Sequence, residues 1–149
     1  MLWKPHVTVA AVVERENRFL IVEEASDGQL VYNQPAGHLD EGESLLTAVI
    51  RETLEETAWS FKPEALVGIY RWQNPGNNTT YLRICFTGHC TEHDPERRLD
   101  EGIMQAVWLS RSELIASERL RGPMVMRCID DYVAGSRYPL ALLSDLSNN

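Results

Sequence analysis

The chain has 149 residues, of which 44% are hydrophobic and 24% are charged, and its formal net charge is −8. This length and composition predict one globular domain over residues 1–149, with a sizeable apolar core. The sequence contains no basic patch that would displace counterions, which argues against a nucleic-acid polymer as partner. A small phosphorylated substrate remains compatible with the charge, because a bound divalent metal reverses the local field.

Cysteine usage and hydropathy indicate a cytoplasmic protein. Cys85, Cys90 and Cys128 are odd in number and lack metal-type spacing, so we expect free thiols in a reducing compartment. The N-terminal MLWKPH lacks the apolar segment of a signal peptide, and no stretch is apolar for long enough to span a membrane. We therefore expect no membrane partner, and a monomer or weak dimer.

Strands are predicted over much of the first 32 residues. The Val- and Ala-rich run at 6–14 predicts a buried strand, and residues 18–24 predict a second strand after a turn at 16–17. A turn at 26–28 then leads into a short strand at 30–32.

A hairpin is predicted in the middle of the chain. Residues 65–73 and 79–89 are its strands, and the Asn-, Pro- and Gly-containing stretch 74–78 is its turn. A charged loop without periodicity follows at 91–102, and residues 105–109 predict another strand.

Two helices are predicted near the C-terminus. Ser110 opens the first, with Glu113 three residues on in a capping-box pattern. Pro123 suits the first position of the second helix, and Gly135 ends it. Strands in hairpins with added helices predict a mixed sheet covered on both faces, which leaves the classes α/β and α+β open.

The stretch 37–59 begins as a loop and continues as a further predicted helix. Ser44 is suited to cap that helix. Side chains at helical spacing predict the face that packs on the core, namely Leu45, Leu46, Val49, Ile50 and Thr53.

Three glutamates crowd another face of this helix. Glu52, Glu55 and Glu56 fall within about one turn, where each like-charged pair costs roughly 0.2–0.5 kcal/mol. They also lie toward the carboxyl end of the helix, where the dipole favours cations. Carboxylates grouped in this way suit a hard divalent cation such as Mg²⁺ or Mn²⁺, so we expect a metal site rather than a solvated face.

This stretch resembles the Nudix box, in which a glycine, a glutamate, an Arg-Glu pair and a Glu-Glu pair stand at fixed spacing. The matching residues are Gly37, Glu43, Arg51, Glu52, Glu55, Glu56 and Trp59. Thr53 departs from the pattern, because an aliphatic residue is usual there. Ala58 replaces a glycine just past the helix, and we expect it to keep a positive φ with Trp59 packed beneath the helix end.

The resemblance extends beyond the box. Residues 4–9, 33–39 and 135–140 resemble the bacterial NudJ phosphatase subgroup of the Nudix family. The resemblance implies a fold of the α/β class, an α/β/α sandwich with a mixed sheet in which the box forms a loop–helix–loop.

The resemblance also implies the metal ligands. Glu52 and Glu56 are the first expected ligands, and Glu55 is expected to bind directly or through water. The carbonyl of Gly37, or that of Ala36, is an expected further ligand.

Other roles follow from the same resemblance. Glu52 is the candidate general base within the box, although members of the family differ in where that base lies. Arg51 and Glu43 are expected to pair and to hold the loop against the helix. Asp100 and Glu101 are candidates for an acid supplied from outside the box, and a solvated loop is the competing interpretation.

Several residues are candidates for substrate binding, each with a structural alternative. His38 is expected either to contact a phosphate or to make a structural hydrogen bond. Aromatic side chains can stack on a base or pack in the core, and arginines can face a phosphate or water. These candidates are Tyr32, Trp72, Tyr81, Arg71 and Arg83.

The function implied is Mg²⁺-dependent hydrolysis of small organic diphosphates and triphosphates. The expected substrates are nucleoside di- and triphosphates and the hydroxymethylpyrimidine diphosphate of thiamin metabolism. The alternatives are a Nudix pyrophosphatase for nucleoside diphosphate sugars or dinucleotide polyphosphates, and a non-catalytic nucleotide-sensing domain of the same fold.

Overall fold

The structure is a computed structural model that describes residues 2–147. The domain predicted over residues 1–149 also includes Met1, Asn148 and Asn149, which lie outside the described residues. The strands are β1 (His6–Val12), β2 (Glu14–Arg15), β3 (Arg18–Ser26), β4 (Gln29–Asn33), β5 (Ala36–His38), β6 (Trp59–Gln73), β7 (Thr80–His93), β8 (Ile103–Leu109) and β9 (Tyr138–Pro139). The helices are α1 (Leu45–Thr57), α2 (Arg111–Ser117) and α3 (Pro123–Val133), with a 3₁₀ turn at Leu140–Leu142.

Within residues 2–147 the strands form two sheets. The first has the order β5-β1-β7-β6-β9, and the second has the order β2-β3-β4 with β8 also paired to β3. Strands β1 and β7 are parallel, whereas β5, β6 and β9 pair antiparallel with their neighbours. The prediction of a mixed sheet is confirmed.

Alternating side chains of β1 divide the core into two layers. Val9 and Ala11 belong to the cluster that includes residues of α1, and Ala10 and Val12 to the cluster that includes residues of α2 and α3. Because successive side chains of a strand point to opposite faces, the helices cover both faces of the first sheet. The predicted α/β/α sandwich is confirmed.

The predicted ends of α1 are confirmed. The Oγ of Ser44 accepts a hydrogen bond from the Thr47 N–H at 3.1 Å, as an N-cap does. Ala58 follows the helix in the left-handed region with a φ of 63°. The predicted apolar face was wrong at Ile50, which is 39% exposed, whereas Ala48 is fully buried.

Strand β6 begins at Trp59, six residues before the predicted start. The strand continues through Pro63, and its pairing with β7 is irregular between Pro63 and Ala65. Proline is tolerated at such bulges, where no ladder hydrogen bond is lost. The predicted first strand likewise ends early, at Val12.

Among the described residues, no helix is both long and apolar enough to cross a membrane.

Candidate active site

Arg51 is the centre of a network of carboxylates on α1 and the preceding loop. Its Nε and Nη2 donate to the two carboxylate oxygens of Glu43 at 3.0 and 2.6 Å. Its Nη1 donates to Glu52 at 2.8 Å and to Glu55 at 3.1 Å. The Arg51 guanidinium therefore holds the pKa of Glu43 below its ordinary range. The predicted pair is present, and Arg51 also orients two glutamates of the helix.

Glu52 lies against the backbone of β5. A Cβ at Gly37 would collide with the Glu52 carboxylate, so only glycine allows this approach. Burial raises the pKa of Glu52, although the hydrogen bond from Arg51 acts in the opposite direction. Gly37 therefore fixes the distance between the strand and the helix at this point.

Glu56 is buried and turned toward the same strand. Its Oε1 accepts a hydrogen bond from the Ala36 N–H at 2.9 Å. The pKa of Glu56 is raised to about 9, chiefly by burial and also by the charge of Glu52, although the hydrogen bond from Ala36 acts in the opposite direction. A buried carboxylate beside another requires a compensating cation if both are to be ionised.

Three carboxylates converge at the carboxyl end of α1. Ligand oxygens of Glu52, Glu55 and Asp100 lie within 4.8 Å of one another. Asp100 comes from the charged loop, and its N–H donates to the Glu55 carbonyl at 3.0 Å. The donor set, which is carboxylate oxygen only, fits a hard divalent cation.

This cluster differs from the set implied by the resemblance. Glu52 and Glu55 are members, but Glu56 binds the backbone of β5 instead. Of the two acids proposed outside the box, Asp100 joins the cluster. Glu101 lies exposed on the following turn and does not line the cavity described next, so a role for it as the outside acid or in substrate binding stays a prediction.

A cavity of about 700 Å³ adjoins the carboxylates. Glu52 and Glu56 line one part of it, and an aromatic pair lines another. The rings of Trp72 and Tyr81 are nearly parallel, with their centroids 6.1 Å apart. The cavity therefore combines acidic groups with a flat apolar surface.

The predicted substrate-binding residues divide between this cavity and other places. His38, Trp72, Tyr81 and Arg83 line the cavity. The Nε2 of His38 lies 3.1 Å from the Nδ1 of His6, a residue for which no local pattern predicts a role.

Two of the substrate-binding candidates do not line this cavity, and their roles in substrate binding stay predictions. Arg71 is exposed in a groove between β6 and α3, whereas the neighbouring Trp72 lines both that groove and the cavity. Tyr32 packs against the core beneath Arg119, whose guanidinium carbon is 4.5 Å from the ring centroid.

Charged residues of the cavity were missed by reasoning from the sequence, and two of them pair with each other. Arg121 and Glu24 form an ion pair on its wall, with the carboxylate largely buried. The partners are 97 positions apart, and local patterns carry no signal for a contact at that separation.

Comparison with known proteins agrees with this geometry. Residues 4–128 match the NUDIX domain model. The chain belongs to the Nudix family.

This Nudix chain is similar to proteins from several bacteria. Phosphatase NudJ from Escherichia coli strain K12 and from Shigella flexneri are each 39% identical over 146 residues, which cover 98% of this chain and 95% of the relative. A NUDIX hydrolase from Nitrosomonas europaea has 51% identity and a TM-score of 0.95, covering 98% of this chain and 100% of that structure.

The family assignment confirms the predicted class of enzyme. The chain is a hydrolase that acts on phosphorus-containing acid anhydrides. Nudix hydrolases generally use a divalent metal, and the carboxylate cluster has the chemistry to bind one.

Proposed function

We propose that this Nudix hydrolase releases phosphate from small organic diphosphates and triphosphates in a reaction that requires Mg²⁺ or Mn²⁺. Nucleoside di- and triphosphates are the expected substrates, and hydroxymethylpyrimidine diphosphate is a further candidate. The observation that carries the proposal is that Glu52 and Glu56 line the same cavity as the stacked rings of Trp72 and Tyr81. The likeness to Phosphatase NudJ supports phosphate release over other Nudix reactions.

Glu52, Glu55 and Asp100 would hold the metal, with Glu56 and the Gly37 carbonyl as further ligands. When bound, a divalent metal polarises phosphoryl oxygens and lowers the pKa of its water. The collision that a Cβ at Gly37 would make with the Glu52 carboxylate supports this role, because it shows that the backbone at Gly37 closely approaches that carboxylate.

The chain's own groups would orient the attacking water. Glu52 is the general base in this proposal, since its carboxylate lines the cavity and is largely shielded from solvent. Arg51 positions Glu52 through the 2.8 Å hydrogen bond, and Glu43 fixes Arg51 through two more. Arg51 and Glu43 thus act on the reaction by holding Glu52 in place.

The aromatic pair would bind the organic group. A flat heterocycle presents a face to Trp72 or Tyr81, and stacking of this kind contributes about 1–3 kcal/mol per base. Inorganic pyrophosphate has no such group. We therefore expect nucleotides to have a higher kcat/KM than inorganic pyrophosphate, and Trp72→Ala to reduce that preference.

A phosphate-release screen tests the proposal. Its substrates are nucleoside mono-, di- and triphosphates, hydroxymethylpyrimidine diphosphate, a nucleoside diphosphate sugar, a dinucleotide polyphosphate and inorganic pyrophosphate, each with Mg²⁺ or with EDTA. We expect Mg²⁺-dependent release of inorganic phosphate from the nucleoside di- and triphosphates. Cleavage of the nucleotide sugar or the dinucleotide alone would favour the pyrophosphatase alternative, and cleavage of none would favour a sensor.

A further inference from the structure

Arg83 on β7 is a buried cation that lacks an anionic partner among the described residues. Its side chain lines the cavity, and the residue is only 5% exposed. Nη1 donates to the side-chain oxygen of Gln34 at 2.8 Å and Nη2 to that of Asn33 at 3.2 Å, and both acceptors are neutral amides. Within residues 2–147, no carboxylate forms a salt bridge with this guanidinium.

The Nε of Arg83 has no hydrogen-bond partner, and neither has the Oγ1 of Thr8. Among the described residues these are the two buried side-chain polar atoms left unpaired. Thr8 is 7% exposed, lines the same cavity, and stands directly opposite Arg83 in the parallel pairing of β1 with β7. Unpaired buried donors are costly, so two of them side by side at a cavity indicate a ligand.

The position of the pair identifies which part of a substrate would reach it. Thr8 also pairs with His38 on β5, the residue that follows Gly37 beside the carboxylates. Arg83 lies two residues along β7 from Tyr81, whose ring belongs to the aromatic pair. The two donors therefore lie between the acidic part of the cavity and its aromatic part.

We propose that Thr8 and Arg83 form an anion subsite that binds the phosphate attached to the organic group of the substrate. This inference rests on the proposed function, in which the anhydride reacts at the carboxylates and the heterocycle lies on the aromatic pair. A hydroxyl and a guanidinium N–H both donate, and the guanidinium carries a charge that a neutral ligand would leave uncompensated.

Arg121, the other arginine of the cavity wall, does not take this role. Glu24 pairs with Arg121, and it contacts the Arg83 network only through Asn33, whose Nδ2 donates to Glu24 at 3.4 Å. Glu24 therefore leaves the Arg83 charge without a direct counter-ion. Arg121 already has a carboxylate partner, whereas Arg83 has none in the described part of the chain.

The thiol of Cys128 on α3 is the rival counter-ion. A hydrogen bond with the Cys85 thiol lowers the pKa of Cys128, and the charge of Arg83 together with a hydrogen bond from its side chain acts in the same direction, against the effect of burial. A thiolate there would compensate the guanidinium and weaken its attraction for a phosphate. The test therefore includes Cys128→Ser, which keeps the shape of the side chain and removes the ionisable sulfur.

Isothermal titration of the full chain with AMP and with adenosine in EDTA tests the subsite without metal or turnover. We expect wild type to bind AMP about tenfold or more tightly than adenosine, since a charge-assisted hydrogen bond is involved. Arg83→Gln should lose this difference, and Thr8→Val should reduce it about threefold or more. The control is Arg127→Gln, which removes an exposed arginine of α3 outside the cavity. This variant should keep the wild-type preference for AMP over adenosine.

The results separate the subsite from its rival and from the proposed function. Equal binding of AMP and adenosine by wild type, or an unchanged AMP preference in Thr8→Val and Arg83→Gln, would overturn the subsite. If Arg83→Gln does not fold, Thr8→Val and the wild-type comparison still decide. If Cys128→Ser prefers AMP over adenosine and wild type does not, the Cys128 thiolate is the counter-ion of Arg83. The phosphate-release screen is independent, so enzyme activity without an AMP preference rejects the subsite alone.

Discussion

Ala58 keeps a left-handed backbone at a position where a side chain is strained. Its N–H donates to the Leu54 carbonyl at 2.9 Å, which closes α1. The following Trp59 packs against the core, with its ring edge-on to Trp108 and with Arg15 4.6 Å above its centroid. These contacts fix the path of the chain, so the backbone has to accept the unfavourable φ at Ala58.

Ala58→Gly is expected to stabilise the protein by about 1 kcal/mol. The strain that glycine relieves at this φ exceeds the additional conformational entropy that glycine loses on folding. The free energy of unfolding, measured with urea, checks this. The matched control is Ala134→Gly, since Ala134 ends α3 at an ordinary φ of −70°. That control should be unchanged or less stable. A destabilised Ala58→Gly would show that the entropy glycine loses on folding outweighs the relief of strain.

Glu43 provides a test of the Arg51 network by pH. Its pKa is held below the ordinary value of 4.5 by Arg51, so its contribution to stability is present above that value and is lost as the pH falls through the lower folded pKa. We expect Glu43→Gln to be about 1–2 kcal/mol less stable than wild type at neutral pH. The difference should shrink as the pH falls below 4.5.

Urea unfolding across that pH range measures the difference. Glu41→Gln, on the exposed part of the same loop, is the control and should follow the wild-type curve. If the difference in unfolding free energy between Glu43→Gln and wild type is the same at all pH values, the ion pair of Glu43 with Arg51 is not its cause.

At the scale of elements, the charged loop is bound to the end of α1 by its backbone. The Asp94 N–H donates to the Ala58 carbonyl and the Asp100 N–H to the Glu55 carbonyl, each at 3.0 Å. These are carbonyls that a helix end leaves unsatisfied. The docking also brings the Asp100 carboxylate to Glu52 and Glu55, so it completes the carboxylate cluster.

Asp100→Asn is therefore expected to weaken the stabilisation by metal. Wild type should melt at a higher temperature in Mg²⁺ than in EDTA, because a ligand that binds the folded state stabilises it by mass action. We expect the Mg²⁺-dependent shift to be smaller in Asp100→Asn. The neighbouring Glu101→Gln should keep the full shift, and equal shifts in the two variants would place Asp100 outside the metal site.

Elements whose ends depend on neighbouring residues could be predicted from the sequence. The cap at Ser44 and the capping box of Ser110 with Glu113 need only a few residues, and both are present. The start of β6 could not be predicted, since Pro63 is accommodated by an irregular pairing with β7 that lies far along the chain.

At the scale of the whole molecule, the cavity joins groups that are distant in sequence. The box placed Glu52, Glu55 and Glu56 on one helix because its spacing is local. Thr8 and Arg83 meet through the pairing of β1 with β7, which no local pattern reports. The helix with its carboxylates was therefore predictable, whereas most of the remaining cavity wall was not.

The central claim is that Mg²⁺-dependent hydrolysis of a phosphorus anhydride occurs at the carboxylates around Glu52. Phosphate release from a nucleoside diphosphate, measured as Mg²⁺ is titrated, tests this most directly in wild type, Glu52→Gln and the control Glu41→Gln. We predict that wild type and Glu41→Gln show the same Mg²⁺-dependent rise, while folded Glu52→Gln loses at least about a hundredfold in kcat. Turnover by Glu52→Gln near the wild-type rate, or turnover by wild type that persists in EDTA, would contradict the account.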